Sequence, residues 1–518
     1  MQAEQVRPDE LFDLIVVGAG VGGSVLAARI AQFGVNPRNG EKLKVGLFEW
    51  GPYHKGDPAR GYGIPSRRGT YDGMPYEDQR YLLTWGTPGL VGGATMHAGL
   101  IAHPPTPIDF EHWRAETGVD WTWEKFNLPL AELYEMWHPY PEPEAIRSPG
   151  QERFREAALA LGYDVGVMGG ARMNCPRCGL CLGHICKYDA KSTPLVNYIP
   201  IAERYGVRII PNAKVDKVII EKKGSRPVAR GIEYQIDGQP RRAMAEKVIV
   251  SSGFNGTPRL LYRSGYGPRE KVKGELFAEN RNVGANLVSS VSARHIEAIF
   301  DEPIIHPDIG VHAVYSVDRV GSRGYYHLMV GENLGFREGS MSYPLDFAMH
   351  SLAPEFGRDH KAFMKTAATH VGSLRVELSK NPLRGEIDVE GRPVFDGLKS
   401  VSREFVEKNH PKIIEALQEG HEIGRKIITQ MKPRRMFGPN EGIGDRFSTN
   451  HQHGTCRAGA SRENSVVNSD LESHDVDNLF ICDASSVPFQ GTANPSMPTA
   501  AVCNHAWRRI VVNHFSRA

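Results

Sequence analysis

The feature that most constrains the fold is a glycine-rich turn close to the N-terminus. Residues 13–17 (DLIVV) form an apolar run typical of a β-strand, and the sequence GAGVGG follows it at positions 18–23. The next stretch, SVLAARIAQFG, has the composition of a helix. A G-x-G-x-x-G turn between a strand and a helix is typical of a dinucleotide-binding βαβ unit.

Each glycine of this turn has a physical role. Gly18 permits the tight turn, Gly20 lets a pyrophosphate approach the backbone, and Gly23 lets the helix pack closely on the strand. A second predicted strand, KVGLFEWG, carries Glu49, whose carboxylate is placed to bind a ribose hydroxyl. The alternative is a glycine turn that binds no ligand, and the motif alone does not distinguish FAD from NAD.

Further strand signals lie far along the chain. Residues 207–220 and 247–252 are strand-like, and residues 478–484 form a strand that carries Asp483 and precedes a helical pattern. One sheet therefore collects strands from the start, the middle and the end of the sequence. The alternation within residues 295–400 predicts an antiparallel sheet packed on one side. We predict an α/β chain with a discontinuous, Rossmann-like nucleotide-binding domain and an inserted second domain.

Charge and hydropathy give no sign of a nucleic-acid or membrane partner. The 518 residues include 62 basic and 60 acidic side chains, for a formal net charge of +2. No stretch has the length of a transmembrane helix. The first residues, MQAEQVRPDELFD, lack the basic start and apolar run of an export signal. We expect a soluble protein without its own signal peptide, either cytoplasmic or carried to the periplasm by a partner subunit.

Four of the seven cysteines lie within one short segment, NCPRCGLCLGHIC. Cys175, Cys178, Cys181 and Cys186 could bring four thiolates to one centre, as in iron–sulfur and structural zinc sites. The spacing is not that of the bacterial ferredoxin run, and the cysteines are not split into two distant pairs as in a zinc ribbon. A metal-free or disulfide-bonded loop is a third alternative.

Four parts of the chain resemble the glucose–methanol–choline (GMC) oxidoreductases. The first is the glycine turn with Glu49, and the second is VGGATMH at 91–97. The third is SSGFNGTPRLLYRSGYG at 251–267. The fourth is the C-terminal pair NHQHGTCRAG at 450–459 and DASSVPFQGTANPSMPTAA at 483–501. The order and spacing of these segments carry the resemblance more than any one of them.

The resemblance implies that the protein binds FAD and oxidises an alcohol. His451 matches the family's catalytic histidine, and Asn494 matches its partner position, which is histidine or asparagine in the family. A neutral imidazole suits removal of the hydroxyl proton while the carbinol hydride moves to flavin N5. An asparagine can donate a hydrogen bond to the substrate oxygen but cannot act as the base, so we assign proton abstraction to His451 alone. His453 is a weaker candidate for the same role.

The resemblance also implies a set of residues around FAD. His97 either contacts the flavin or attaches it covalently, as in some members of the family. The other predicted cofactor-binding residues are Gly18, Gly20, Gly23, Glu49, Gly92, Gly93, Ala213, Val215, Asp483 and Pro495.

Sugar dehydrogenases of this family carry a cysteine-rich insertion that holds an iron–sulfur cluster, and the Cys175–Cys186 segment is similar. We therefore predict an FAD-dependent dehydrogenase that oxidises a CH–OH group of a sugar, glycoside or sugar alcohol. A 3Fe–4S or 4Fe–4S cluster would pass the electrons to a cytochrome or a quinone, and a small accessory subunit would carry the export signal. The alternatives are an oxidase that reduces oxygen directly and a non-redox lyase that keeps FAD for its structure.

The same resemblance divides the chain into domains. The FAD-binding domain is predicted over residues 1–290, with the cysteine-rich insertion at 150–195. It continues over residues 446–518, which carry the catalytic motifs. The substrate-binding domain, with an antiparallel sheet and helices, is predicted over residues 291–445.

Overall fold

A computed structural model describes most of the chain. The described residues are 10–54, 89–96, 98, 101–141, 143–144, 147–176, 186, 188–224, 226–292, 296–304, 315–321, 324–331, 357–358, 369–395, 402–437, 443, 448–489, 491 and 494–516. No helix in these ranges combines the length and the apolar character that a membrane-spanning segment requires.

The elements are numbered in chain order. The strands are β1 (Leu11–Val17), β2 (Val45–Phe48), β3 (Ile101–Ala102), β4 (Pro139–Pro141), β5 (Gly166–Val167), β6 (Gly169–Ala171), β7 (Arg208–Ile210), β8 (Lys214–Lys223), β9 (Arg226–Ile236), β10 (Gln239–Val250), β11 (Val288–Ser292), β12 (Ile296–Ile299), β13 (Tyr315–Gly321), β14 (Gly324–Gly331), β15 (Val371–Lys380), β16 (Glu386–Ile387), β17 (Pro393–Val394), β18 (Arg435–Phe437), β19 (Ser448–His453) and β20 (Leu479–Ile481). The helices are α1 (Val21–Phe33), α2 (Pro107–Thr117), α3 (Asn127–Trp137), α4 (Pro149–Ala160), α5 (Pro194–Asn197), α6 (Ile199–Arg204), α7 (Gly253–Arg263), α8 (Arg403–Asn409), α9 (Pro411–Gln430) and α10 (Ser496–His514), with short 3-10 turns at Gly93–Met96 and Glu124–Phe126.

The first sheet draws its strands from the start, the middle and the end of the chain. Its order is β7-β2-β1-β10-β9-β8, and β20 also pairs with β10. The pairs β7–β2, β2–β1, β1–β10 and β10–β20 are parallel, whereas β8, β9 and β10 form an antiparallel meander. Five of the seven residues of β1 are buried, including four in succession at its end, as expected for a parallel strand covered on both faces. This sheet confirms the predicted α/β fold with a discontinuous Rossmann-like part.

Helix α1 follows β1 directly and packs against α10. Both helices bury alanines in the same core, among them Ala27, Ala28, Ala500 and Ala501. The last helix of the chain therefore covers the strand–turn–helix unit with which the chain begins. The predicted domain boundaries themselves stay a prediction.

The second sheet is antiparallel and lies in the middle of the chain. Its order is β18-β12-β15-β14-β13-β5, with β11 between β15 and β19. On one face, Leu374, Val376 and Leu378 of β15 belong to the same core as Ile413 and Leu417 of α9. Because side chains alternate along a strand, residues 377 and 379 of β15 project from the opposite face. That opposite face carries one wall of the candidate site.

Candidate active site

The glycine turn after β1 is shaped by close backbone contacts. Gly18 has a left-handed φ of +97°, and a Cβ there would collide with the carbonyl oxygen of Ser251. A Cβ on Gly23 would collide with the carbonyl of Gly18, because α1 packs directly on the turn. These contacts agree with the roles predicted for the two glycines in turning and packing.

The second glycine segment lies against this turn. The N–H of Gly92 donates to the carbonyl of Ala19 at 2.8 Å. Gly93 has a φ of +61°, and a Cβ there would come within 2.7 Å of the Cα of Gly20. Two loops that are more than seventy residues apart in the sequence thus form one backbone surface.

This surface fits a dinucleotide phosphate. Gly20 is the N-cap of α1, without a side-chain cap, and the first turn of the helix has no acidic residue. Among the described residues, a Cβ on Gly20 would meet only the Cα of Gly93, at 4.0 Å, so this part of the structure leaves the space above the turn open. The first N–H groups of a helix lack intrahelical partners and favour an anion. The residues present are therefore suited to hold the pyrophosphate of FAD.

Glu49 lies at the end of β2 and points back to the turn. One carboxylate oxygen accepts the N–H of Ala19 at 2.8 Å, and the other accepts the N–H of Gly51 at 2.9 Å. The carbonyl of Glu49 accepts the N–H of Ala213 at 2.8 Å, and the side chain of Val215 is half-buried two residues further on. The structure therefore brings Glu49 and Ala213 to the turn, and their contact with a cofactor stays a prediction.

Asp483 ties the end of β20 to the start of α7. Its carboxylate accepts hydrogen bonds from the N–H of Gly253 (2.8 Å), the hydroxyl of Thr257 (2.6 Å) and the N–H of Ser485 (2.7 Å). Burial raises the pKa of Asp483, and these donors lower it in part. The predicted cofactor residue thus has a clear local role in joining two of the family-like segments.

The backbone around His451 contains a β-bulge. On β11, Val288 pairs with His453 and Ser290 pairs with Asn450, so β19 has one extra residue between these two pairs. His451 lies in this extra segment with a left-handed φ of +66°. In a regular strand residues 451 and 453 would point to the same face. A bulge redirects side chains, and bulges are common next to active sites.

The two histidines accordingly face different neighbours. His453 is buried, with Nδ1 on the carbonyl of His451 at 3.0 Å and Nε2 on the hydroxyl of Thr499 in α10 at 3.2 Å. Burial lowers the pKa of His453 to about 4. His453 is therefore a neutral structural histidine, which agrees with its weaker standing as a candidate base.

His451 is held among three polar side chains. Its Nδ1 lies 2.9 Å from Oε1 of Glu377 and 3.4 Å from the hydroxyl of Ser290, and its Nε2 lies 3.4 Å from Nδ2 of Asn494. The side chain of His451 is 16% exposed, whereas that of Glu377 is 2% exposed. The half-buried Asn494 is followed by Pro495, which forms the N-cap of α10. The structure therefore brings together the two residues predicted to be catalytic.

The sequence analysis did not identify Glu377 or Ser290. Glu377 is one of the polar members of an alternating segment, VGSLRVELS, at a position expected to face solvent. The one available signal was a carboxylate on the polar face of a strand, which is common on exposed strands. Its proximity to His451 depends on the pairing of β11 with both β15 and β19.

The predicted flavin ligand His97 lies outside the described residues, but its two neighbours do not. The Nζ of Lys191 donates to the carbonyls of Met96 at 2.8 Å and of Ala98 at 2.9 Å. The side chain of Lys191 is buried, and the residue is 2% exposed. Lys191 thus fixes the backbone on both sides of His97. It is a second residue that the sequence analysis missed, since lysine is rarely buried.

Lys191 also belongs to the base of the cysteine segment. Residues 172 and 191 form an antiparallel bridge, and the N–H of Met173 donates to the carbonyl of Ala190 at 2.9 Å. Cys175 and Cys186 are half-buried, whereas Cys178 and Cys181 lie outside the described residues. Within the described ranges, no group of three or more His, Cys, Asp or Glu side chains is arranged to hold a metal. The predicted cluster is therefore not shown and stays a prediction.

Comparison with known proteins adds an independent finding. The pattern of the GMC oxidoreductases matches residues 12–291 with its N-terminal part and residues 396–503 with its C-terminal part. The chain belongs to the GMC oxidoreductase family. It is an FAD-dependent oxidoreductase that acts on the CH–OH group of an alcohol, as the sequence analysis predicted.

Other GMC oxidoreductases are similar over nearly the whole chain. An oxygen-dependent choline dehydrogenase of Chromohalobacter salexigens is 24% identical, covering 96% of this chain and 94% of its own length. A 6'''-hydroxyparomomycin C oxidase of Streptomyces lividus is also 24% identical, and the match covers 98% of this chain and 92% of that protein. Among solved structures, pyridoxine 4-oxidase from Mesorbium loti has a TM-score of 0.70 at 18% identity, covering 96% of this chain and 99% of its own. A formate oxidase has a TM-score of 0.73 at 16% identity, and the match covers 98% of this chain and 99% of that structure's chain.

Proposed function

We propose that this GMC oxidoreductase is a dehydrogenase that oxidises a CH–OH group of a sugar, glycoside or sugar alcohol at His451 and Asn494. The observation that carries the proposal is the separation of 3.4 Å between Nε2 of His451 and Nδ2 of Asn494. Two polar atoms at this distance can both lie within hydrogen-bond reach, about 2.6–3.2 Å, of a single oxygen. A substrate hydroxyl in that position is in contact with both side chains.

The two side chains divide the work on that hydroxyl. His451 accepts its proton at Nε2, because a neutral imidazole is a base near physiological pH. Asn494 donates a hydrogen bond from Nδ2 to the same oxygen, which gains negative charge as the proton leaves. FAD, when bound on the surface formed by the two glycine loops, supplies the acceptor for the carbinol hydride.

We further propose that electrons leave through an iron–sulfur cluster on Cys175, Cys178, Cys181 and Cys186. Support comes from the spacing of these cysteines and from the attachment of their loop to the backbone beside His97 through Lys191. A cytochrome or a quinone would be the final acceptor. A small accessory subunit with an export signal, and the periplasm as the compartment, belong to the same proposal.

Direct reduction of oxygen is the second candidate. It is favoured by the names of several relatives, among them an oxygen-dependent choline dehydrogenase, a pyridoxine 4-oxidase and a formate oxidase. The two candidates share His451 and Asn494 and differ in where the electrons go. The cysteine segment is the feature that favours the dehydrogenase.

One series of measurements separates the candidates. Purified protein is mixed anaerobically with a panel of sugars, glycosides and sugar alcohols, and optical and electron paramagnetic resonance spectra are recorded. We expect one class of substrate to bleach the flavin and to produce a cluster signal. If no alcohol bleaches the flavin, a non-redox lyase becomes the better account.

Cysteine variants then test the path of the electrons. We expect Cys178→Ser and Cys181→Ser to keep flavin bleaching but to lose iron and turnover with a dye acceptor. The control is Cys503→Ser, which changes a buried cysteine of α10. Unchanged turnover in the iron-free variants, with peroxide as the product in air, would favour the oxidase.

A further inference from the structure

The buried carboxylate beside the candidate base has a role of its own. We propose that Glu377 is the positioning residue that keeps the proton of neutral His451 on Nδ1 and thereby presents the lone pair of Nε2 to the substrate. This inference rests on the proposed function in one respect, the assignment of His451 as the base. It adds a residue that lies 74 positions away in the sequence and on a different strand.

The geometry assigns the two ring nitrogens to different partners. Nδ1 lies 2.9 Å from Oε1 of Glu377, a normal hydrogen-bond distance, whereas Nε2 lies 3.4 Å from Nδ2 of Asn494. An ionised carboxylate only accepts hydrogen bonds, so the proton of a neutral imidazole must lie on Nδ1. The side facing Asn494 is then the side with the free lone pair. The ring orientation needed for proton abstraction follows from a contact on the opposite side of the ring.

The sheet explains how Glu377 reaches the ring. Glu377 pairs with Ser292 of β11, and Ser290 of the same strand pairs with Asn450 of β19. Serines at 290 and 292 are small, so the side chain of His451 can cross β11 and contact β15. The bulge at His451, with its left-handed φ, turns the ring in this direction rather than toward α10.

Among the described residues, the other side chains in hydrogen-bond contact with His451 are those of Ser290 and Asn494, and both are uncharged. On β11 the neighbours are serines, and on the segment before α10 the neighbour is the amide of Asn494. On β19 itself, His453 is buried and its lowered pKa keeps it neutral above about pH 4. On β14, His327 occupies the register position opposite Glu377. Among the side chains that the structure describes, Glu377 is therefore the carboxylate in direct contact with the imidazole of His451.

This contact has two consequences during the reaction. Before proton transfer, it holds one tautomer and one ring orientation. When Nε2 accepts the hydroxyl proton, the ring becomes an imidazolium, and the carboxylate stabilises that charge. Loss of the carboxylate should therefore slow proton abstraction and also make the ring harder to protonate from solvent.

The test compares Glu377→Gln with Glu377→Asp in the full-length, FAD-containing enzyme. For Glu377→Gln we expect kcat to fall by about 100-fold or more, since the amide can stabilise the wrong tautomer. We expect its acid limb in the pH profile of kcat/KM to move about one pH unit or more to lower pH. Glu377→Asp keeps the charge, so its acid limb should stay at the wild-type position and its kcat should exceed that of Glu377→Gln.

A matched control is Glu297→Gln, which neutralises another buried glutamate of the same sheet. Glu297 on β12 pairs with residue 373, four positions along β15 from Glu377. We expect it to leave kcat and the acid limb unchanged. Wild-type kcat in Glu377→Gln, or a loss of kcat without any movement of the acid limb, would overturn the proposal.

A folding or cofactor defect is recognised separately. FAD content and thermal unfolding are measured for each variant, and if Glu377→Gln loses FAD, the acid limb of Glu377→Asp decides alone. A wild-type limb in Glu377→Asp supports the role of the charge, and a limb moved to lower pH refutes it. A different result would refute the proposed function itself: a His451→Asn variant that still oxidises the alcohol at the wild-type rate.

Discussion

The contact between the two glycine loops gives a prediction whose size follows from the structure. Replacing Gly93 by alanine adds a Cβ that would lie 2.7 Å from the Cα of Gly20. Because the obstacle is backbone, a side-chain rotation cannot relieve the contact. We expect Gly93→Ala to push the two loops apart and to weaken the surface that holds FAD.

Two costs add up in this variant. Gly93 has a φ of +61°, and an L-residue in the left-handed region costs about 1–2 kcal/mol. Overpacking against a rigid neighbour costs about 1–3 kcal/mol more. The sum of about 2–5 kcal/mol would weaken FAD binding by about 30-fold or more if it falls on the bound state, because 1.4 kcal/mol corresponds to a factor of ten.

Gly238→Ala separates the two costs. Gly238 has a φ of +74° in the turn between β9 and β10, and no heavy atom of the described residues lies within 4 Å of a Cβ built there. This control carries the backbone cost without the contact with the second glycine loop. The assay is the FAD-to-protein ratio after dialysis, together with thermal unfolding followed by flavin fluorescence. Equal FAD loss in both variants, or wild-type FAD retention in Gly93→Ala, would refute the reasoning.

Two further predictions concern buried cations and histidines. Lys191→Met removes two charge-assisted hydrogen bonds to the carbonyls beside His97. We therefore expect the variant to unfold at lower temperature, to lose about 2–4 kcal/mol of unfolding free energy and to release FAD faster. The control Lys214→Met changes an exposed lysine and should alter neither the unfolding temperature nor FAD release. His453 has a folded pKa of about 4 against an ordinary value of 6.5, so its contribution to stability is present above pH 6.5 and is lost as the pH falls toward 4. Denaturant unfolding of wild type and His453→Asn should be measured across this pH range. As the pH falls, the free energy of unfolding of wild type should decrease by up to about 3 kcal/mol more than that of the variant. A steeper decrease in the variant would contradict the lowered pKa of His453.

The fold could be predicted from the sequence because its signals are local. The apolar run of β1, the glycine turn and the strand ending before Asp483 each lie within a few neighbouring residues. Parallel strands with apolar side chains on both faces also leave few alternatives for their partners. These signals predict that strands from the start, the middle and the end of the chain share one sheet, whereas the order of the strands in that sheet came from the structure.

The candidate site could be predicted only in part. His451 and Asn494 came from the family resemblance, and the structure brings them within 3.4 Å of each other. The contact of His451 with Glu377 depends on an extra residue in β19, and no residue type in NHQH marks a bulge. The buried position of Lys191 depends on its contacts with the carbonyls of Met96 and Ala98, about 95 residues earlier in the chain. Neither long-range contact leaves a local pattern in the sequence.

The central claim is that His451 removes the hydroxyl proton during alcohol oxidation. The most direct measurement is the rate of anaerobic flavin reduction in rapid-mixing experiments on FAD-loaded wild type, His451→Asn and His453→Asn. We expect His451→Asn to be slower by about 100-fold to 10,000-fold with FAD still bound, whereas His453→Asn stays close to wild type. Flavin reduction at the wild-type rate in His451→Asn would contradict the account.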